Sequence, residues 1–367
     1  MKIAMLFPAV ESERAISGYS STLTQTMREV GINIEDVKYF AGNPFSLKEV
    51  LGELKNYDVI HIQHEYNLLG GYGLPFFFLL TFLKFFSKAK VVVTMHTILS
   101  QSEKFKSGKL KTFLRKMLYK VQNRWINWNS DKVVVHADFF KKILIKEYGF
   151  KKEKITIFPQ GIIESVKTLS KEEAKKKFNL SGPVYLFMGG MVPDHGHDII
   201  IKQADQVGKT VLVVANPGPV NDRNSQRTKE YLKENEEYVN KNNLNNNVRF
   251  DISDITDKKK EWWEYFSAAD FIMLPYRGGI GSGIFAHAMA VKKPVIASNI
   301  QYFNEISKNY DCIKVAKDEE DYAKVIKESQ KPTNYKKMVQ GCEKYFKENG
   351  LTPVAKRYEK LYESLLK

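Results

Sequence analysis

Short β-rich runs alternate with stretches of helical period along almost the whole chain, and no other feature restricts the fold as strongly. Six such runs come first: KIAMLFP (2–8), INIEDVKYF (32–40), DVIHIQHEY (58–66), KVVVTMHT (90–97), DKVVVHA (131–137) and KITIFPQG (154–161). Helical segments separate them, which is the βαβ rhythm of a parallel, doubly wound sheet. Residues 162–181 are polar and Lys-rich and read as a linker with a short helix. The rhythm then restarts in PVYLFMGG (183–190), KTVLVVAN (209–216), NVRFDIS (247–253), DFIMLPY (270–276), PVIASN (294–299) and CIKVAK (312–317). The expectation is an α/β chain of two Rossmann-like domains in tandem, with an amphipathic helical tail over 334–367.

Length and composition agree with this reading. A chain of 367 residues suits two domains of roughly 150–200 residues each, and 43% hydrophobic residues suffice for two packed cores. The formal charge of +15 asks for an anionic partner: nucleic acid, a phosphate-bearing substrate or an acidic membrane surface. Cys312 and Cys342 form neither a metal-ligand spacing nor a disulfide framework, which points to a reducing cytoplasm. The apolar run at the N-terminus is too short for a signal peptide and ends at Pro8, as a first strand would. The greasiest stretch, Leu74–Phe86, is well short of the about 20 residues a membrane span needs, and reads as a helix that is buried or lies on a surface.

Ligands of open α/β sheets sit beyond the carboxyl ends of the strands, and two such domains facing each other make a cleft lined by strand-end loops. In the second domain, Arg277, Gly278, Gly279, Gly281, Ser282 and Gly283 follow the strand ending at Tyr276. Ser282 can cap a helix starting near Ile284, and glycine backbone at a helix start suits a phosphate or a sugar hydroxyl; the plainer alternative is a tight turn into a buried helix. The loop MGGMVPDHGHD (188–198) places Gly189, Gly190 and Gly196 at another strand–helix junction. There His195 can meet a phosphate or a sugar, and His197 reads as a surface histidine. No HExxH, zinc-type cluster, D-x-D or Walker lysine occurs, so no metal is assigned. In the first domain, Gly18 falls in the loop before the helix YSSTLTQTMREV. Gln63, His64 and Glu65 end one strand, with Gly70, Gly71 and Gly73 soon after, and His96 ends the next. A histidine near neutrality can donate to a hydroxyl or stabilise a leaving phosphate; the plainer role for His96 is that of a satisfied core histidine.

The order strand–GG-x-VPDHG–helix, then SAADFIMLPY, GSG, AHAMAVKKPVIASN and NEI, resembles the retaining GT-B glycosyltransferases of family 4 over nearly the whole chain. That family typically reads G-R-x-x-x-x-K-G, then A-D-x-x-x-x-P-S, then E-x7-E running into E-A-M-A-x-G-x-P-V-I. The match is in order and spacing. The family's diphosphate-binding arginine falls on Gly190 and its lysine on His195; its two glutamates fall on Gly279 and His287. PYRGGIGSG, with QHEY…GGYG and VTMHT, is similar to a sub-branch that lacks the glutamate pair.

The resemblance implies a GT-B architecture: an acceptor domain over 1–163, a nucleotide-sugar domain over 164–345, and a helix over 346–367 crossing back to the first. It implies transfer of a hexosyl group from a nucleotide-diphosphate sugar to a glycan or lipid-linked acceptor, with no metal or other cofactor. His96 is then a catalytic candidate by position and Glu65 a candidate acceptor orienter or base, with Gln63 and His64 on the acceptor side. Gly18, Gly190, His195, Arg277, Gly279, Gly281, Ser282 and Gly283 fall to donor binding. Family 4 has no agreed protein nucleophile, and none is named. The missing glutamates leave two readings open: backbone and other side chains replace them, or the donor site has decayed into a non-catalytic partner protein. A GT-B nucleotide-sugar epimerase is a further alternative. Finally, Lys104–Trp128 interleaves eight basic residues with apolar ones at helical spacing and holds no acid. It can lie on anionic lipid or be a core-packing helix with a solvated basic face; nucleic acid is not expected, since no module signature for it appears.

Overall fold

The computed structural model describes the chain apart from residues 13–14, 44, 67, 69–72, 104, 106–107, 208–209, 217–222, 254–258 and 280. Gly70, Gly71, Lys104 and Lys106 therefore lie outside the described residues. The chain divides into two compact units, Met1–Gly161 with Leu351–Lys367, and Ile162–Gly350.

Unit 1 is built on β1 (Ile3–Pro8), β2 (Ile34–Tyr39), β3 (Val59–His64), β4 (Lys90–Met95), β5 (Lys132–Val135) and β6 (Ile155–Ile157). They form one parallel sheet in the order β2-β1-β3-β4-β5-β6. The two central strands are covered on both faces: every residue of β1 and β3 is buried. Between them run α1 (Ala15–Glu29), α2 (Ser46–Leu51), α3 (Leu74–Phe86), α4 (Lys109–Asn129) and α5 (Asp138–Tyr148). Right-handed crossovers put α1 on one face of the sheet and α2 to α5 on the other. Neighbouring strands β1 and β3 run to opposite sides of the sequence order, which makes the gap between their carboxyl ends the switch point where such sheets hold ligands.

Unit 2 repeats the plan with β7 (Val184–Gly190), β8 (Thr210–Asn216), β9 (Val248–Ile252), β10 (Phe271–Leu274), β11 (Val295–Ser298) and β12 (Ile313–Ala316), in the parallel order β12-β11-β10-β7-β8-β9. Its switch point lies between β7 and β10. The helices are α6 (Lys171–Lys177), α7 (His197–Ile201), α8 (Ala204–Val207), α9 (Arg223–Lys241), α10 (Lys260–Ala268), α11 (Gly283–Ala290), α12 (Gln301–Asn309), α13 (Tyr322–Gln330) and α14 (Pro332–Asn349). The short helix expected in the Lys-rich linker is α6, opened by a capping box in which Ser170 and Glu173 satisfy each other's backbone N–H. Both cysteines are buried and unbridged.

The last helix, α15 (Leu351–Leu366), belongs to unit 1 and packs on α1. Among the described residues no helix is long and apolar enough to cross a membrane.

Candidate active site

In unit 2 the residues flanking the switch point come from the ends of β7 and β10. After β7 the chain turns through Pro193–His195 into Gly196, whose φ is +69° and which packs against the Pro275 carbonyl so closely that a Cβ would overlap it. The two loops are thereby pressed together. Arg277 fastens them: its guanidinium donates to both Asp198 carboxylate oxygens at 2.7 and 2.8 Å and to the Pro193 carbonyl at 2.8 Å, and its own N–H reaches the Asp194 carbonyl at 2.9 Å. Burial pushes the Asp198 carboxyl up, but hydrogen bonds from Arg277, Tyr231 and Lys202 outweigh it and hold it well below the usual carboxylate range. Arg277, expected to lend its charge to a donor, is thus paired within the protein and acts as a clamp on the donor-loop candidates.

His195 donates from Nδ1 to the Gly190 carbonyl at 2.6 Å and stacks on Tyr276 at 4.9 Å between centroids. Fixing the tautomer this way leaves Nε2 as the ring nitrogen for other partners. Tyr276 in turn lies 3.2 Å from Ser282 Oγ. Ser282 is the expected cap of α11, accepting from the Phe285 N–H at 3.1 Å. The other first-turn N–H groups of a helix have no intrahelical partner and attract anions. Gly278, Gly279, Gly281 and Gly283 around this turn are exposed. Gly279 has φ +142°, which L side chains rarely adopt; this loop conformation would strain a glutamate at that position. His287, where the second glutamate of the family would fall, packs edge-on against Trp263 at 4.9 Å and Trp262 at 5.6 Å. His197 is buried against Phe187, not at the surface as its sequence context suggests, and burial takes its pKa down to about 3.

In unit 1 the two residues ending β3 part company, because alternate strand residues face opposite sides. Gln63 is fully buried, donates to Met5 Sδ at 3.0 Å and faces His96 Nε2 through Oε1 at 2.8 Å. His64, also buried, turns to the other face, against Phe76 and Gln122. Neither side chain is open to an acceptor, contrary to the expectation for this pair. Glu65, partly exposed, accepts from the Tyr66 N–H at 2.9 Å. Gly18 is not in a loop: α1 begins before it, so the glycine is an exposed residue of the helix, with no atom near enough to show a close backbone approach.

His96 has a neighbour that the sequence did not single out. His136, just past β5, lies with Nε2 3.2 Å from His96 Nδ1, while its own Nδ1 donates to the Phe158 carbonyl at 2.9 Å. Tyr19 meets both rings edge-on. The proton count is informative. With carbonyl oxygens at both outer ends, both outer nitrogens carry protons, and the two facing nitrogens bond only if the pair holds one more. Burial lowers both pKa values, His96 further because His136, His64 and His61 are nearby. A neutral pair keeps the bond between the two rings only when the Gln63 amide turns to present Nε2 to His96, which gives up its bond to Met5 Sδ. Gln63, His96 and His136 are therefore one proton-coupled unit at adjacent strand ends. The signal for His136 was in the sequence: a histidine follows the third apolar strand of the sheet just as His64 and His96 end the other two.

Comparison with known proteins fits this layout. Residues 11–165 match the model of Glycosyltransferase Family 4, and residues 182–330 match that of Glycosyl transferases group 1. Together the matches span most of the chain, in the order of the two units. The chain belongs to the family 4-like GT-B glycosyltransferases. No curated protein sequence matches this glycosyltransferase. Among solved structures, a glycosyltransferase from Rickettsia africae superposes with TM-score 0.68 at 16% identity, covering 100% of this chain and 98% of the other. Sucrose-phosphate synthase from Thermosynechococcus elongatus gives 0.74 at 15% identity, covering 100% and 99%. Anabaena Alr3699/HepE, solved with UDP and glucose, gives 0.69 at 14% identity, covering 99% and 100%. At these identities the likeness establishes the fold.

Proposed function

We propose that this glycosyltransferase moves a hexosyl group, with retention, from a nucleotide-diphosphate sugar to a glycan or lipid-linked acceptor, without a metal. The observation that carries the proposal is the paired turn at the β7–β10 switch point. There an exposed glycine run leads into the capped start of α11, and His195 is fixed beside it. Backbone N–H groups, the helix dipole and a protonated His195, which then also donates from Nε2, would hold the diphosphate in place of the arginine and lysine of other family members. UDP-glucose is the first donor to test, since Anabaena Alr3699/HepE was solved with it. Catalysis is then mainly positioning and stabilisation of the leaving diphosphate. A proton shared by His96 and His136, taken up from solvent as the anionic donor binds, would offset the negative charge that develops, and Glu65 would orient the acceptor.

Residues 104–128 are proposed to touch anionic membrane, and the enzyme to act on the cytoplasmic side. A non-catalytic reading has one specific observation in its favour, the packing of His287 among tryptophans where the family places a glutamate. Calorimetric titration with UDP- and GDP-sugars decides between them, paired with turnover of His96→Ala. Donor binding with a loss of about a hundredfold or more in kcat is expected, the size typical of general acid–base groups. A protein that binds no nucleotide supports the scaffold reading, and an unchanged His96→Ala removes that residue from the site. Anomeric configuration of the product by NMR tests retention, epimerised donor in the absence of acceptor marks an epimerase, and undiminished rates in chelator test metal independence.

A further inference from the structure

We propose that the outer faces of α3 and α4 form a single docking surface for an anionic lipid bilayer, seating it level with the carboxyl ends of the unit 1 strands. The docking itself stands without the transferase reading. Its consequence, that the acceptor is a lipid with its reacting hydroxyl at headgroup level, rests on that reading.

Both helices are patterned against water. α3 buries Phe76, Leu79, Leu80 and Leu83, yet its opposite stripe is no more polar: Leu74, Phe78 and Phe85 are 54%, 77% and 63% exposed. On α4 the exposed stripe Leu110, Leu114, Met117, Val121 and Trp128 recurs at helical spacing, so the helix turns apolar side chains outward and buries Gln122 and Asn123. A surface helix of a water-bound protein has the reverse pattern, and contiguous exposed apolar surface of this kind marks an interaction site. The two stripes join where Lys84 lies over the Trp128 ring at 4.0 Å.

Charge selects the occupant. α3 and α4 together carry seven basic residues and no acidic one. Lysines and arginines flanking inserted apolar side chains suit acidic headgroups over hydrocarbon. The same charges oppose pairing of this face with a second copy of itself, since a two-fold interface would bring like charges together. With thirteen residues, α3 is too short to span a bilayer and must lie along it. Between α2 and α3 a groove of about 520 Å³, lined by Leu47, Leu51, Phe78, Phe82 and Phe86, has room for a hydrocarbon chain from the same bilayer.

The placement follows from how the helices overlap. Only the end of α4 packs on α3, where Trp125 Nε1 donates to the Phe77 carbonyl at 3.2 Å. Tyr119 packs with its ring tilted, 4.4 Å between centroids, against Tyr66, two residues past the end of β3. Residues 109–118 continue beyond that contact for about 15 Å at the helical rise, with Lys116 held by Gln101 in the loop after β4. Leu110, Leu114 and Met117 project at the end of the unit where Glu65 and His96 sit.

The test is co-sedimentation of the full chain with phosphatidylcholine vesicles, with and without phosphatidylserine. Binding to the acidic vesicles that weakens with salt is expected, falling about tenfold or more in the Phe78→Glu/Met117→Glu variant. Circular dichroism and donor titration monitor the fold of that variant. Failure to bind acidic vesicles, or equal binding by the variant, overturns the proposal. So does a dimer in sedimentation velocity that the variant abolishes, which would assign the face to a second copy. Vesicle binding by a protein that takes no nucleotide sugar sinks the transferase reading and leaves the docking intact. Donor binding without vesicle binding does the opposite.

Discussion

At His61 a titratable ring is fully enclosed between Tyr362 Oη at 2.6 Å and Thr94 Oγ1 at 2.7 Å. Among the described residues no carboxylate contributes to its surroundings, and burial brings its pKa down to about 3. His64 in the same sheet and His197 in the other unit also fall to about 3 through burial. Unfolded, each titrates near 6.5. Below that value the unfolded chain binds protons that the folded chain refuses, so stability is complete above about pH 6.5 and falls as pH drops toward about 3. Each histidine adds a slope of roughly 1.4 kcal/mol per pH unit inside that window. Urea unfolding followed across the window should show the decline, and His61→Gln, although less stable near neutrality, should have the shallower dependence by about that amount. A variant whose pH slope equals that of the parent would show that His61 is not held neutral. None of this was legible from the strand DVIHIQHEY alone. A histidine inside an apolar run signals only that something must satisfy it, and its partner Tyr362 is 301 residues away.

At the scale of elements the sequence was far more informative. All twelve β-rich runs are strands, each trimmed by a residue or more at its ends, because a strand buried on both faces leaves a dense apolar signature that polar crossovers interrupt. The cap at Ser282 was legible for the same local reason. Misreadings arose where the outcome depends on what packs above a residue. Gly18 suggested a loop, but α1 tolerates it at an exposed position. Gln63 and His64 looked like a pair, and the pleat separates them. The pressing together of the β7 and β10 loops is likewise a tertiary event, and it has a testable cost. Gly196→Ala requires an L residue at φ +69° with its Cβ against the Pro275 carbonyl. A destabilisation of at least about 2 kcal/mol is expected from the backbone conformation and overpacking together, together with weaker donor binding, since His195 is the adjoining residue. Denaturant unfolding and donor titration check the two effects. A variant as stable as the parent would mean that the turn is free to relax and that its geometry is not what shapes the donor loops.

For the molecule as a whole, the decisive feature is that the chain finishes its first unit last. α15 contributes Leu351, Val354, Ala355, Tyr358, Leu361 and Tyr362 to the unit 1 interior. Tyr358 and Tyr362 close over the polar centre of the sheet, where Tyr362 takes the second ring nitrogen of His61 and Tyr358 lies 3.3 Å from Thr94 Oγ1. Fully burying one such apolar side chain stabilises by roughly 1.5–3 kcal/mol. The five larger ones, Ala355 adding little, even discounted for a compact unfolded state, rival the about 5–15 kcal/mol that holds a whole domain together. Unit 2, Ile162–Gly350, has its own sheet, and its core cluster includes no residue of this helix. Truncation after Gly350 should therefore have opposite consequences in the two halves. In hydrogen exchange followed by mass spectrometry, peptides from β1, β3 and β4 should lose protection, while those from β7 and β10 keep theirs. If the unit 1 strands stayed protected without α15, the helix would be an appendage and not the last piece of that core. If both units lost protection together, folding would couple the halves more tightly than their separate cores imply.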